Sequence, residues 1–112
     1  PKGYVGQNHE INVPWGVSVD GSDNVWVANF QGENVSYMCG ADTTKCPAGT
    51  QTGEIIHSFT SSVTTMLTDA GIDSAGNVWT ANNRGLRQPH QKVVDQRRWH
   101  WHCRFLWFGN TG

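Results

Sequence analysis

The strongest constraint on this chain is a segment that occurs twice. Residues 19–29, VDGSDNVWVAN, recur without a gap as residues 72–82, IDSAGNVWTAN, so the two copies are offset by 53 residues. Six of the eleven positions are identical. Self-similarity at a fixed period predicts a repeat architecture, in which each copy is one supersecondary unit that cannot bury its apolar face alone.

Each copy has the pattern of two strands joined by a tight turn. Residues 15–19 alternate large apolar and small side chains, and 20–24 are rich in the Asp, Gly and Asn that form turns. The chain also has 13 Gly and 6 Trp, a composition that favours short strands over long helices. The sequence therefore predicts an all-β fold, with further strands at 25–30, 34–38, 54–59, 69–73 and 78–82.

The first copy resembles the NHL-type β-propeller repeat. Residues 14–29 carry its Pro-x-Gly-hydrophobic strand, its turn and its aromatic-hydrophobic-Ala strand, and they are also similar to blades of the virginiamycin B lyase and gluconolactonase-like superfamily. The resemblance covers 13–30 and 69–83 well and 31–68 loosely. It implies about two propeller-like blades, each a four-stranded antiparallel unit, which together form an incomplete propeller.

Two of the three cysteines are close enough in sequence to close a small loop. Cys39 and Cys46 lie seven residues apart in a loop rich in Gly, Pro and Thr, with Pro47 directly after the second cysteine. A disulfide here is the favoured interpretation and would imply an oxidising compartment, so we expect a secreted or periplasmic protein. The alternative is two unpaired thiols in a surface loop, and Cys103 has no evident partner.

The ends and the overall charge restrict where the protein acts. The chain begins at Pro1 without a Met or an apolar signal stretch, so we expect it to begin after a cleavage or inside a larger gene product. Charged residues make up 15%, and the net charge is −1. This balance predicts neither a nucleic-acid partner nor binding to an anionic membrane.

The repeated polar and aromatic positions are the first candidates for function. Asp20 and Asp73 stand where a strand meets a turn, so we expect each carboxylate to cap the backbone amides of its turn. The paired tryptophans are expected to pack between blades, with ligand stacking as the alternative. The candidate ligand-binding residues are Asn29, Asn82, Trp26 and Trp79.

An enzymatic alternative comes from the resemblance. Lyases and lactone hydrolases of this propeller superfamily hold a divalent metal, such as Ca or Mg, in the central channel with Asp, Glu, Asn and His side chains from several blades. Two blades supply only part of such a site unless association of chains completes it. The candidate metal ligands here are His9, Glu10, His57 and Asp69, beside the two asparagines that end the repeats.

The residues from 84 to 112 form an atypical, basic, Trp- and His-rich tail, distinct from the two partial blades of 1–83. His100, His102 and Cys103 supply three metal donors, although alternation along a strand would place Cys103 on the opposite face. Stacking aromatics beside cations would instead suit carbohydrate or nucleic acid. The remaining interpretation is an apolar basic tail that docks or aggregates.

The tail also agrees with a one-base slip of the reading frame. Such a shift turns Trp99, Trp101 and Trp107 into glycines, because tryptophan has a single codon. With permitted codons, 98–108 then become a glycine-rich turn followed by a strongly apolar strand, which is what a blade should supply next. We hypothesise that a slip near 84–92 replaced the native C-terminus, and the gene's DNA sequence tests this.

The sequence favours a binding or structural module over an enzyme. It shows no Ser/His/Asp arrangement, no paired carboxylates in an apolar segment and no phosphate-binding glycine loop. Two blades would expose apolar faces carrying Trp26, Val17, Ile72 and Trp79. We therefore expect a homo-oligomer, with a small molecule or a carbohydrate as the alternative partner.

Overall fold

The computed structural model describes residues 3–60, 66–82 and 104–110. This part of the chain contains β-strands and a single short 3₁₀ turn, and no α-helix. The prediction of an all-β fold is therefore confirmed. The strands are β1 (Pro14–Val19), β2 (Val25–Asn29), β3 (Asn34–Met38), β4 (Ile55–Phe59), β5 (Leu67–Ile72), β6 (Asn77–Asn82) and β7 (Arg104–Asn110), and the 3₁₀ turn is Thr43–Lys45.

The strands form two antiparallel sheets. The first is a meander in which β1, β2, β3 and β4 are neighbours in chain order, and the second has the order β5, β6, β7. The hairpins predicted around the two repeated turns are confirmed, because β1 pairs with β2 and β5 pairs with β6. The third and fourth strands also lie where the sequence pattern placed them.

The repeat is preserved in the irregularities of the strands as well as in their pairing. The register of β1 against β2 shifts between Pro14 and Gly16, and that of β5 against β6 shifts between Leu67 and Asp69. These two shifts are 53 residues apart, which is the offset of the sequence repeat. A β-bulge bends its strand and increases the local twist, so the matching shifts favour a similar bend at the start of both hairpins.

The core lies between the two sheets. The inner face of the first sheet, formed by Trp26, Ala28 and Val35, packs against apolar side chains of the second sheet. Strand alternation directs these side chains to one side of the sheet, while their neighbours in sequence point to the other. The contributing side chains of the second sheet are Leu67, Ala70 and Val78.

The close approach of the sheets depends on Gly16. A β-carbon added at this position would lie 2.5 Å from the Asp69 Cα and 2.9 Å from the Ala70 nitrogen, distances that atoms of this kind do not adopt. Beside it, the Ser18 hydroxyl donates a hydrogen bond to the Ala70 carbonyl. The absence of a side chain at residue 16 therefore sets the distance between β1 and β5.

The loop between β3 and β4 is closed by the Cys39–Cys46 disulfide, with the two Cα atoms 5.8 Å apart. The loop is also held to the first turn through the buried Asn24 amide. Its Oδ1 accepts from the Gly40 amide at 2.9 Å, and its Nδ2 donates to the Lys45 carbonyl at 3.2 Å. Covalent and polar contacts together fix this loop against the turn between β1 and β2.

The second sheet extends past the change in sequence character at residue 84. The backbone of β7 pairs antiparallel with β6, with Trp107 opposite Trp79. Trp99, Trp101, His100, His102 and Cys103 lie outside the described residues, so the metal-site and frame-slip hypotheses stay predictions there.

Candidate functional site

The two repeated tryptophans occupy different environments. Trp26 is 3% exposed and stacks on Tyr37 and Phe59, with ring centroids 4.3 and 5.6 Å away. Trp79, at the equivalent position of the second repeat, is 39% exposed. Trp26 is therefore a core residue enclosed between the sheets, which is the role expected first for the repeated tryptophans. Trp79 remains partly exposed.

Each repeat contains an aspartate that holds its turn and its tryptophan together. Asp20 Oδ1 accepts from the backbone amides of Ser22 and Asn24, at 2.8 and 3.0 Å. Its Oδ2 accepts from Trp26 Nε1 at 3.0 Å. The predicted capping role of this aspartate is confirmed, and the tryptophan bond is an additional contact that the sequence pattern did not reveal.

Asp73 repeats this arrangement in the second copy. Its Oδ1 accepts from the amides of Ala75 and Asn77, and its Oδ2 accepts from Trp79 Nε1 at 3.0 Å. The bond from Trp79 is the largest cause that lowers the Asp73 pKa from 3.8 to about 2, followed by the bonds from Asn77. The carboxylate is exposed, so hydrogen bonding to the charged form rather than burial controls its pKa.

We expect the stability of the fold to decrease when Asp73 becomes protonated. Its pKa is lower in the folded state, so its contribution is fully present above the unfolded value near pH 4 and is lost as the pH falls toward 2. Urea denaturation measured between pH 7 and pH 2 should show this loss in the wild type, and Asp73→Asn should reduce it. Equal pH dependence in the two proteins would contradict the hydrogen-bonded role of the carboxylate.

Asn29 is enclosed at the end of β2 and holds the N-terminal segment to the sheet. Its Nδ2 donates to the Asn34 carbonyl at 3.2 Å and to Ser36 Oγ at 3.1 Å. Its Oδ1 accepts from the Asn12 amide at 2.9 Å. These contacts give Asn29 a structural role between strands. The side chain of Asn82, the equivalent residue of the second repeat, lies outside the described part of the chain.

The four candidate metal ligands do not meet. His9 and Glu10 belong to the N-terminal segment, where Glu10 Oε1 accepts from the Asn8 amide. His57 packs edge-on against Phe59, and Asp69 Oδ1 accepts from the Ala70 amide. Among the residues that the structure describes, no three His, Cys, Asp or Glu side chains are grouped so that they could hold a metal ion.

The candidate site is an apolar surface on the side of the first sheet that faces away from the core. We define the outer face as Val17, Val19 and Val27 of this sheet. Val17 is 63% exposed and Val19 is 60% exposed, whereas Val27 is buried. An open recess of about 360 Å³ adjoins the outer face, lined by Tyr4, Ile11, Pro14, Trp15, Gly16, Val17, Val27 and Met38.

The recess exists because the N-terminal segment folds back over the sheet. Gln7 joins the segment to β4 through two bonds with Ile55, one from its side-chain nitrogen and one to its side-chain oxygen, at 3.0 and 2.8 Å. At the other end, Trp15 stacks on Phe30 with ring centroids 4.3 Å apart. Sequence patterns treat residues 1–12 as irregular and so missed the recess, although the alternation of Val17 and Val19 with small residues indicated a second apolar face.

In the described part of the chain, no helix has the length and apolar character needed to cross a membrane. Comparison with known proteins finds no matching family, no matching curated protein and no matching solved structure.

Proposed function

We propose that this chain is a self-associating structural module built from two blades of the β-propeller type. The first sheet supports this proposal as a four-stranded antiparallel meander, which is the arrangement within a propeller blade. The second sheet supports it by packing face to face on the first with the same bulge and the same aspartate–tryptophan contact. The disulfide supports a secreted or periplasmic location for such a module.

The observation that carries the proposal is a difference in burial between equivalent positions. Ala70 of the second repeat is 3% exposed in the core, whereas its counterpart Val17 is 63% exposed. Leu67 is fully buried, whereas its counterpart Pro14 is exposed. The outer face is therefore the first-repeat equivalent of a face that, in the second repeat, is covered by the first sheet. A partner that covers the outer face would remove its apolar side chains from water.

The partner that fits best is the outer face of a second copy, related by a two-fold axis. The three residues of the outer face and all eight residues that line the recess are uncharged, so two copies can meet without repulsion between like charges. A two-fold contact uses the same surface on both chains and closes on itself. The lining is almost entirely apolar, which suits another apolar sheet better than a carbohydrate, whose hydroxyls need several polar partners.

The test is the mass of the native protein and of one variant. Light scattering after size-exclusion chromatography should give twice the 12.4 kDa chain mass for the wild type. Val17→Asp should raise the dimer dissociation constant at least about 100-fold, because the contact would bury two unpaired carboxylates. The control Ala48→Asp adds the same charge at an exposed loop position and should leave the dimer intact.

Thermal melting of the Val17→Asp and Ala48→Asp variants tests whether each one keeps the fold. A wild type that stays at the mass of one chain over the accessible concentration range would contradict the proposal. So would a Val17→Asp variant that associates as tightly as the wild type.

A further inference from the structure

The sheet-to-sheet contact within the chain is a template for a second mode of association. The inner face of the first sheet packs against one side of the second sheet. By the 53-residue offset, the residues on that side of the second sheet are equivalent to those of the exposed outer face of the first sheet. We define the far face of the second sheet as Asp69, Gly71 and Trp79, which point away from the core. The far face is equivalent in register to the inner face of the first sheet.

Chains could therefore stack head to tail, with the far face of one copy on the outer face of the next. A stack of any length leaves a far face uncovered at one end and an outer face uncovered at the other. A contact between two different surfaces forms rings when the rotation closes and open filaments when it does not. Apolar groups favour this contact, because Trp79 and Val17 are both exposed.

One residue of the far face is incompatible with this stacking. Inside the chain, the approach of the two sheets requires Gly16, where a β-carbon would lie 2.5 Å from the facing backbone. The equivalent residue on the far face is Asp69, which is exposed on the opposite side of β5 from the buried Ala70. In a stack, the Asp69 side chain would be driven against the backbone of its neighbour around Gly16 and Val17.

We propose that Asp69 blocks head-to-tail stacking of this chain on a second copy of itself. Its side chain holds the strands apart, and its carboxylate would also lose water without gaining a partner of opposite charge. The head-to-tail contact uses the same outer face as the proposed two-fold dimer, so the two contacts compete and Asp69 disfavours the open one.

The test replaces Asp69 with the residue that the internal contact uses. Asp69→Gly should assemble to a mass at least about twofold above that of the wild type, rising with concentration, as measured by light scattering. Asp69→Ala should stay at the wild-type mass, because a β-carbon alone is too large for the contact. A mass for Asp69→Gly equal to that of the wild type would overturn the proposal. Equal assembly of Asp69→Gly and Asp69→Ala would contradict the requirement for glycine at this contact.

A double variant tests whether the assembly of Asp69→Gly uses the far face. Trp79→Asp added to Asp69→Gly should return the mass to that of the wild type, because Trp79 lies on the far face and outside the two-fold contact. Assembly that persists in the double variant would contradict the assigned surface. Failure of the dimer proposal does not remove this test, because a monomeric wild type can be compared with the Asp69→Gly variant in the same way.

Discussion

Replacing Trp26 with alanine is expected to lower the free energy of unfolding by about 3–5 kcal/mol, the largest effect of any single change proposed for this chain. The side chain is 3% exposed and stacks on two aromatic rings, so its removal leaves a cavity between the sheets. The loss also leaves the buried Asp20 carboxylate without its bond from Trp26 Nε1. Urea denaturation followed by circular dichroism measures the change.

The second repeat provides a matched control for this prediction. Trp79→Ala removes the same side chain and the same bond to an aspartate, but the ring is 39% exposed and its carboxylate partner is exposed. We expect a loss of no more than about 1–2 kcal/mol, because less apolar surface is returned to water. Equal losses at the two positions would show that the sheets do not pack as described.

Replacing Gly16 with alanine is expected to destabilise the fold by about 1–3 kcal/mol through overpacking. The new β-carbon would meet the backbone of Asp69 and Ala70, which cannot move aside like the end of a flexible side chain. The strands must separate, and the buried contacts between the two sheets weaken with them. The denaturant midpoint should fall, and near-ultraviolet circular dichroism of the aromatic cluster should report the looser packing.

Gly71→Ala is the control for Gly16→Ala. Gly71 lies in β5 on the far face, and an added β-carbon there has no atom within 4 Å. Alanine should be neutral at this position or slightly stabilising, because it restricts the unfolded chain more than glycine does. A comparable loss of stability in both variants would indicate a general cost of substitution in the strands and not a specific contact at Gly16.

The hairpins were predictable because their determinants are local. An aspartate, an asparagine and small residues within a few positions of each other specify each turn, and period-two alternation specifies the strands on either side. The capping by Asp20 and Asp73 followed from the same local pattern. These features depend on neighbours in sequence, so they can be inferred without the rest of the structure.

The features that depend on distant residues were not predictable in the same way. Trp26 and Trp79 lie in similar local sequences, NVWVAN and NVWTAN, yet their exposure differs because only the first has a sheet packed over it. The recess depends on bonds between Gln7 and Ile55, which are 48 residues apart. The candidate metal ligands were chosen by residue type and resemblance, and the topology leaves His57 and Asp69 in different sheets.

The two asparagines that follow the capping aspartates imply an order of folding. Asn77 Nδ2 donates to Asp73 four residues away, and the other bonds to the Asp73 carboxylate come from Ala75, Asn77 and Trp79, all within six residues of it. Asn24 instead bonds to Gly40 and Lys45, 16 and 21 residues distant. Contacts between near neighbours close small loops and form fast. The bonds to Asp73 are thus expected to form early, whereas the bonds from Asn24 to Gly40 and Lys45 form only when the oxidised loop reaches the first turn.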